Sequence, residues 1–195
     1  MGKTRQVIKG SAGVLPASKI PSPTPLREGW SRWQPLAGIP ALSVDVLAET
    51  LDGGQAFRWN RQPDGTWLGV WADNVVQLRL DGNERVEWRA PAAAAGRAAD
   101  SLTRYLGIDR DFAGLADLLP WRSDPHLARC IVAFSGLRIL RQPFGETLLG
   151  FLCSATKQIV QIKQMLALLA GRHGFLIEDR AGPPADARTA QRSVP

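Results

Sequence analysis

Between residues 57 and 89 the chain repeats one pattern four times: a short run rich in β-branched and aromatic residues, then a turn. Residues 57–62 are followed by Pro63-Asp64-Gly65, residues 66–71 by Ala72-Asp73-Asn74, and residues 75–80 by Asp81-Gly82-Asn83; residues 85–89 close the series. Pro, Gly, Asp and Asn mark the reversals because they preset or tolerate turn dihedrals. Strands joined by links this short pair antiparallel, as a meander, and such a sheet usually buries one face. Val86 and Trp88 share a face of the last run. Trp59, Trp67, Trp71 and Trp88 are read as much of the core on that buried face. Aromatic strands can also stack unpaired bases, but large aromatics in strands mostly fill cores.

The periodicity then changes. Residues 92–106 are Ala-rich, with Leu102, Tyr105 and Leu106 on one side, and Gly107 ends the segment. Residues 111–119 make a short helix stopped by Pro120. Asp124 is a good N-cap with Pro125 in the first turn. The helix that follows is closed by Gly136, with Leu127, Ile131 and Phe134 as its expected buried stripe. Pro143 opens an apolar helix through Cys153. Ile159, Ile162, Leu166 and Leu169 mark a final amphipathic helix ended by Gly171. Strands first and helices after predict an α+β fold.

Charge narrows the function classes. The net charge of the 195-residue chain is +6, but residues 1–33 carry six Lys/Arg against one Glu, and residues 34–170 carry fourteen charges of each sign. The basic excess is mostly an arm, so nucleic-acid binding has to rest on local clusters. Residues 1–35, with alternating Pro21, Pro23 and Pro25, read as a disordered basic arm. Trp30 and Trp33 are expected to tuck its end onto the domain. Residues 173–195 read as a disordered tail. Cys130 and Cys153 are 23 residues apart, outside any C-x-x-C spacing, and are expected to be buried free thiols; no metal site or disulfide framework follows. No apolar run is long enough for a membrane span, and no secretory signal is seen.

An apolar segment over residues 42–51 leads into Leu51-Asp-Gly-Gly-Gln-Ala-Phe-Arg-Trp59. On residue chemistry alone the glycine pair is a tight turn. Phe57 and Trp59 would point to the same side if this segment is extended. Trp67-Leu-Gly-Val, Arg138-Ile-Leu-Arg-Gln142 and Phe151-Leu-Cys-Ser154 follow in order. Together these motifs resemble the N-terminal part of the 8-oxoguanine DNA glycosylases, over roughly residues 40–172.

The resemblance implies a TBP-like antiparallel sheet domain over residues 36–136. Residues 137–172 would then begin a helical glycosylase domain. It also implies a base-excision-repair function in which a damaged base is flipped out of double-stranded DNA containing oxidised guanine. 8-Oxoguanine carries a proton on N7 where guanine has a lone pair. By resemblance, the Gly54 carbonyl accepts that proton, with Gln55 and Phe57 completing the base-binding set. Ser154, Thr156, Lys157, Gln158 and Gln161 fall where the family contacts the opposite strand. There the family usually has an Asn-rich run, and an arginine that reads cytosine at the position of Gln161, which puts recognition of the opposite cytosine in doubt. Arg138 and Arg141 are expected either to touch phosphate or to pair with Glu146.

Family catalysis needs a glycine hairpin with a nucleophilic lysine and a later aspartate. Nothing after Gly171 resembles it, and Lys163, inside an amphipathic helix, is a poor substitute. No catalytic residue is therefore expected in this chain. The leading expectation is a truncated glycosylase/AP lyase with exposed apolar faces on its last two helices. The alternatives are a non-catalytic damaged-DNA binding module and a protein-interaction domain. No cofactor, metal or membrane is implied. The chain is expected to be a monomer, cytoplasmic and nucleoid-associated in a bacterium or nuclear in a eukaryote.

Overall fold

The computed structural model describes residues 29–175 and 177. The arm expected over residues 1–28 and most of the expected tail lie outside the described residues. Five strands form one antiparallel sheet: β1 (Gln34–Pro35), β2 (Trp59–Arg61), β3 (Trp67–Trp71), β4 (Asn74–Leu80) and β5 (Val86–Arg89), in the order β1-β5-β4-β3-β2. The last four match the expected runs: β2, β3 and β5 are trimmed, and β4 starts one residue earlier than expected, at Asn74. β1 was not expected. It pairs Gln34 with Trp88 and Pro35 with Glu87, and a proline that lacks an N–H is tolerated there because the strand lies at an edge. Residues 29–35, read as the end of a structureless arm, are therefore held on the sheet. The Ser31 N–H donates to the Ala90 carbonyl at 2.8 Å. The guanidinium groups of Arg79 and Arg89 lie 4.3 and 4.6 Å from the Trp33 ring. The expected tuck of Trp30 and Trp33 is present, with Trp30 bridged to Pro91.

Helix α1 (Val44–Asp52) starts at Ser43, whose hydroxyl accepts from the Val46 N–H. A 3-10 turn over Ala92–Ala94 leads into α2 (Ala95–Tyr105). Then come α3 (Phe112–Asp117), α4 (Pro125–Ala133), α5 (Phe144–Ser154) and α6 (Ile159–His173). Asp124 caps α4 as expected, accepting from the N–H groups of His126 and Leu127 at 2.9 and 3.0 Å. Gly171 remains helical; α6 runs on to His173, with Gly174 as its cap.

The core lies between one face of the sheet and helices α1 and α2. Side chains alternate across the strands, so Trp67 and Trp71 of β3 point inward with Val76, Leu78, Val86 and Trp88 of the neighbouring strands. Val46, Leu47 and Leu51 of α1, and Ala98, Leu102 and Tyr105 of α2, close the other side. Trp59 is the largest fully buried side chain. Its ring stacks on Trp71 at 5.9 Å, and its Nε1–H donates to the Tyr105 hydroxyl at 3.1 Å. Gly69 lies opposite Trp59 in the β2–β3 register, and a Cβ there would run into the indole. This packing is why Trp67-Leu-Gly-Val carries a glycine at its third position.

The four tryptophans read as core are all buried. The stripe read on α4 is not. Leu127 and Ile131 are half-buried, Phe134 is exposed, and the neighbouring Val132 is 79% exposed. An apolar stripe is buried only where another element covers it, and no described element packs along α4. Both cysteines are free and half-buried rather than buried. The last two helices carry apolar side chains into solvent as expected, with Phe144 81% and Phe151 72% exposed.

Candidate functional site

The glycine pair sits where α1 ends, and its two residues are glycine for different reasons. Gly53 has φ −73°, and its N–H closes on the Glu49 carbonyl at 3.0 Å; a Cβ there would collide with Glu49. Gly54 has φ +101°, which side chains with a Cβ rarely adopt. Space is not its constraint. A Cβ on Gly54 would meet Ile159 Cδ1 at an ordinary 3.7 Å. Ile159 opens α6, so the Gly54 loop lies against the helix start that follows Ser154–Gln158. The fold thus brings together the two stretches that the sequence places a hundred residues apart.

The loop then divides. Trp59 enters the core, whereas Phe57 stays outside β2 and lies against α5, with its ring 3.3 Å from where a Gly150 Cβ would stand. The two aromatics do not form one stripe, because the segment is not extended until Trp59.

Gln55 is fully occupied within the chain. Its Nε2 donates to the carbonyls of Thr50 (3.0 Å) and Arg138 (2.8 Å), and its Oε1 accepts from the Leu140 N–H at 3.0 Å. Gln142 Nε2 donates in turn to the Gln55 carbonyl. The amide expected to meet a base is instead a clamp joining the end of α1 to the link before α5. Apart from Thr50, five residues back, its partners are 83 to 87 residues away, so little in the local sequence signals it.

Arg138 is also turned inward. It is buried, donates toward the carbonyls of Leu106 and Gly107, and lies over the Phe112 ring. Desolvation lowers its pKa. It neither faces outward for a phosphate nor pairs with Glu146. Arg141 pairs with Asp109 at 3.0 Å, and Glu146 is taken by Arg58 and the Ala72 N–H.

Between α5 and α6 the chain makes a tight exposed turn. The Ser154 hydroxyl bonds back to the Phe151 carbonyl at 2.7 Å, and the Lys157 N–H reaches the Ser154 carbonyl at 3.1 Å. Thr156 sits at φ +58°. Gln158 and Gln161 form a reciprocal capping box: the Gln161 side chain accepts from the Gln158 N–H at 3.0 Å, and the Gln158 side chain accepts from the Gln161 N–H. The Gln-x-x-Gln spacing carries this signal alongside the opposite-strand contact that the resemblance implies. The N–H groups of Ile159 and Val160 remain as donors at the positive end of a fifteen-residue helix, beside the exposed Lys157. Lys163 is engaged within the chain. Its ammonium pairs with Asp52 and donates to the Trp59 carbonyl at 2.8 Å.

Residues 42–148 match the family model for the 8-oxoguanine DNA glycosylase N-terminal domain. The chain belongs to that family. It is 33% identical over 141 residues to the N-glycosylase/DNA lyase of Saccharomyces cerevisiae, covering 67% of this chain and 37% of that protein. Among solved structures, it is similar to MBOgg1 in complex with a low-affinity DNA ligand (34% identity, TM-score 0.53, covering 65% of this chain and 41% of that one). It is also similar to the Clostridium acetobutylicum 8-oxoguanine glycosylase/lyase in complex with double-stranded DNA containing cytosine opposite 8-oxoG. There the identity is 31% and the TM-score 0.50, over 60% of this chain and 39% of the other. The chain therefore spans about two fifths of the length of these relatives. The shared part is the α+β sheet domain with its following helices.

Within this family fold, Tyr105 gives a titration that can be read directly. It is the only tyrosine in the chain. Burial pushes its pKa up to about 12, partly offset by the bond from Trp59. The neutral phenol is favoured in the folded state, so its contribution to stability is complete below the unfolded value near 10 and is lost as pH rises from about 10 to about 12. That contribution is about 2–3 kcal/mol. Phenolate absorbance is expected to appear only with unfolding in this window. A Tyr105→Phe variant should lose the corresponding part of the alkaline slope in denaturation curves. A phenolate forming near pH 10 in the folded chain would contradict it.

Proposed function

We propose that this chain is the lesion-contacting N-terminal portion of a base-excision glycosylase/lyase acting on oxidised guanine in duplex DNA. The observation that carries the reading is Gly54, a left-handed glycine packed against the first residue of α6. That neighbourhood supports a role for the Gly54 loop together with the exposed turn before α6 that bears Thr156 and Lys157. In this reading the Gly54 carbonyl accepts the N7 proton of 8-oxoguanine. Normal guanine would present a lone pair to it, a mismatch of about 1–3 kcal/mol. Lys157 and the Ile159 and Val160 N–H groups hold a phosphate of the duplex. Gln55 and Arg138 act behind this surface as internal supports, with Phe57 packed on α5. The supporting facts are the family membership and the similar structures solved with DNA, one of them with double-stranded DNA containing cytosine opposite 8-oxoG.

The test is binding of the full chain to two duplexes that differ only in 8-oxoguanine against guanine opposite cytosine. The lesion duplex is expected to bind about tenfold more tightly. Gly54→Val should bring the two within about twofold, since valine disfavours φ +101° and moves the carbonyl. Equal binding of both duplexes by the unaltered chain would sink the reading.

A further inference from the structure

Lys163 sits in the second turn of α6, four residues after Ile159, so both side chains leave the same face of the helix. That face lies along the loop over residues 52–59 at three levels. Ile159 meets Gly54. One turn on, the Lys163 ammonium pairs with the Asp52 carboxylate at 2.5 Å and donates to the Trp59 carbonyl at 2.8 Å. Leu166 then lies with Phe57 beside Gly150 of α5. Asp52 is the last residue of α1, and Trp59 is the first of β2. A single nitrogen therefore holds both ends of the loop that carries Gly54.

The loop needs such ties, because two adjacent glycines give its backbone more freedom than other residues would. Gln55 anchors its middle to the link over residues 138–142. That link precedes α5, so the clamp does not fix the loop against α6, whose first turn follows the exposed Lys157. Lys163 does. Its side chain is 19% exposed and that of Asp52 32%, so water and salt weaken their attraction less than that of a surface pair. An ammonium held largely out of water needs partners, and these two are the ends of the loop.

We infer that Lys163 is a positioning residue that sets where the Gly54 loop stands relative to the turn before α6. It acts through Asp52 and the Trp59 carbonyl rather than on DNA. Fixing that spacing lets one surface meet a lesion base and a backbone phosphate together. This consequence for binding rests on the lesion-contacting reading; the seating of the loop on α6 does not.

The test is Lys163→Met, which keeps the aliphatic stem and removes the ammonium. Without DNA, a nuclear Overhauser contact between the Gly54 α-protons and the Ile159 δ-methyl is expected in the unaltered chain and lost in Lys163→Met. Lys163→Arg can still donate to a carboxylate and a carbonyl, and should keep it. In duplex binding, the preference for 8-oxoguanine over guanine should fall from about tenfold to about threefold in Lys163→Met. It should return in Lys163→Arg, and affinity for the undamaged duplex should change by less than about twofold. A lysine that only stabilises the fold would lower the melting temperature without moving that ratio. Asp52→Asn retains the bond to Trp59, so it should shift both readouts in the same direction but less, and it serves if Lys163→Met does not fold. An Overhauser contact retained in Lys163→Met would overturn the inference. So would a lesion preference that is present in the unaltered chain and unchanged in Lys163→Met. A preference absent from the unaltered chain would count against the lesion-contacting reading instead, and the Overhauser contact alone would then decide the role of Lys163.

Discussion

Gln55→Leu is expected to lower the unfolding free energy by about 3–6 kcal/mol. Leucine has nearly the volume of glutamine, so the loss is of hydrogen bonds rather than of packing. Three backbone groups lose their partner at once: the Thr50 and Arg138 carbonyls and the Leu140 N–H. Each buried polar group left unpaired costs roughly 1–3 kcal/mol. Gln55→Glu would keep the acceptor for Leu140 but set a carboxylate against two carbonyls, and should be no milder. Chemical denaturation measures the change. A loss under about 1 kcal/mol would mean that Gln55 is not a clamp. The same variant should loosen α5 and α6 relative to the sheet, because the link over residues 138–142 is the segment the clamp secures. Amide exchange in α6 should then quicken more than in β4.

Trp59→Ala should cost about 3–5 kcal/mol, the usual range for truncating a fully buried aromatic. The loss has three sources. The indole leaves a void beneath Gly69, the stack on Trp71 disappears, and the Tyr105 hydroxyl loses its donor. For a domain of this size the melting temperature should fall by about 10 °C or more. Trp59→Phe separates the contributions, since it keeps an aromatic ring but removes the Nε1–H. It should cost about 1–2 kcal/mol. If the phenylalanine and alanine variants melted together, the hydrogen bond to Tyr105 rather than the packing would be the dominant contribution.

What the sequence made legible was local. Pro63-Asp64-Gly65 and Asp81-Gly82-Asn83 announce reversals because their dihedral preferences act within four residues, and the strands between them follow. The inward tryptophans follow from the alternation of strand side chains. The glycine pair was also legible as a special place, although φ alone told Gly54 from Gly53. What escaped depended on distant partners. β1 is two residues long, contains a proline and exists only through its pairing with β5, some fifty residues away. Gln55 and Arg138 look like surface polar residues until the fold brings the link over residues 138–142 against α1 and α2. The stripe on α4 failed in the opposite sense: its period is helical, but period says nothing about whether a neighbour is present to cover it. In the candidate site the signal at Gln158 and Gln161 was visible yet ambiguous, since an amide three residues after a helix start serves a cap as well as a partner base.

The sheet ends in very short strands: three residues of β2 at one margin, and at the other the two of β1, one of them a proline. Few unpaired N–H and C=O groups are therefore offered to a foreign strand, and templated growth into fibrils has little to start from. The stickiness of this molecule lies in its helices instead, where Phe144, Phe151 and Val132 meet water. Association through such surfaces is non-directional and indifferent to register. Among the described residues, then, self-association is expected to give amorphous clusters rather than ordered seeds.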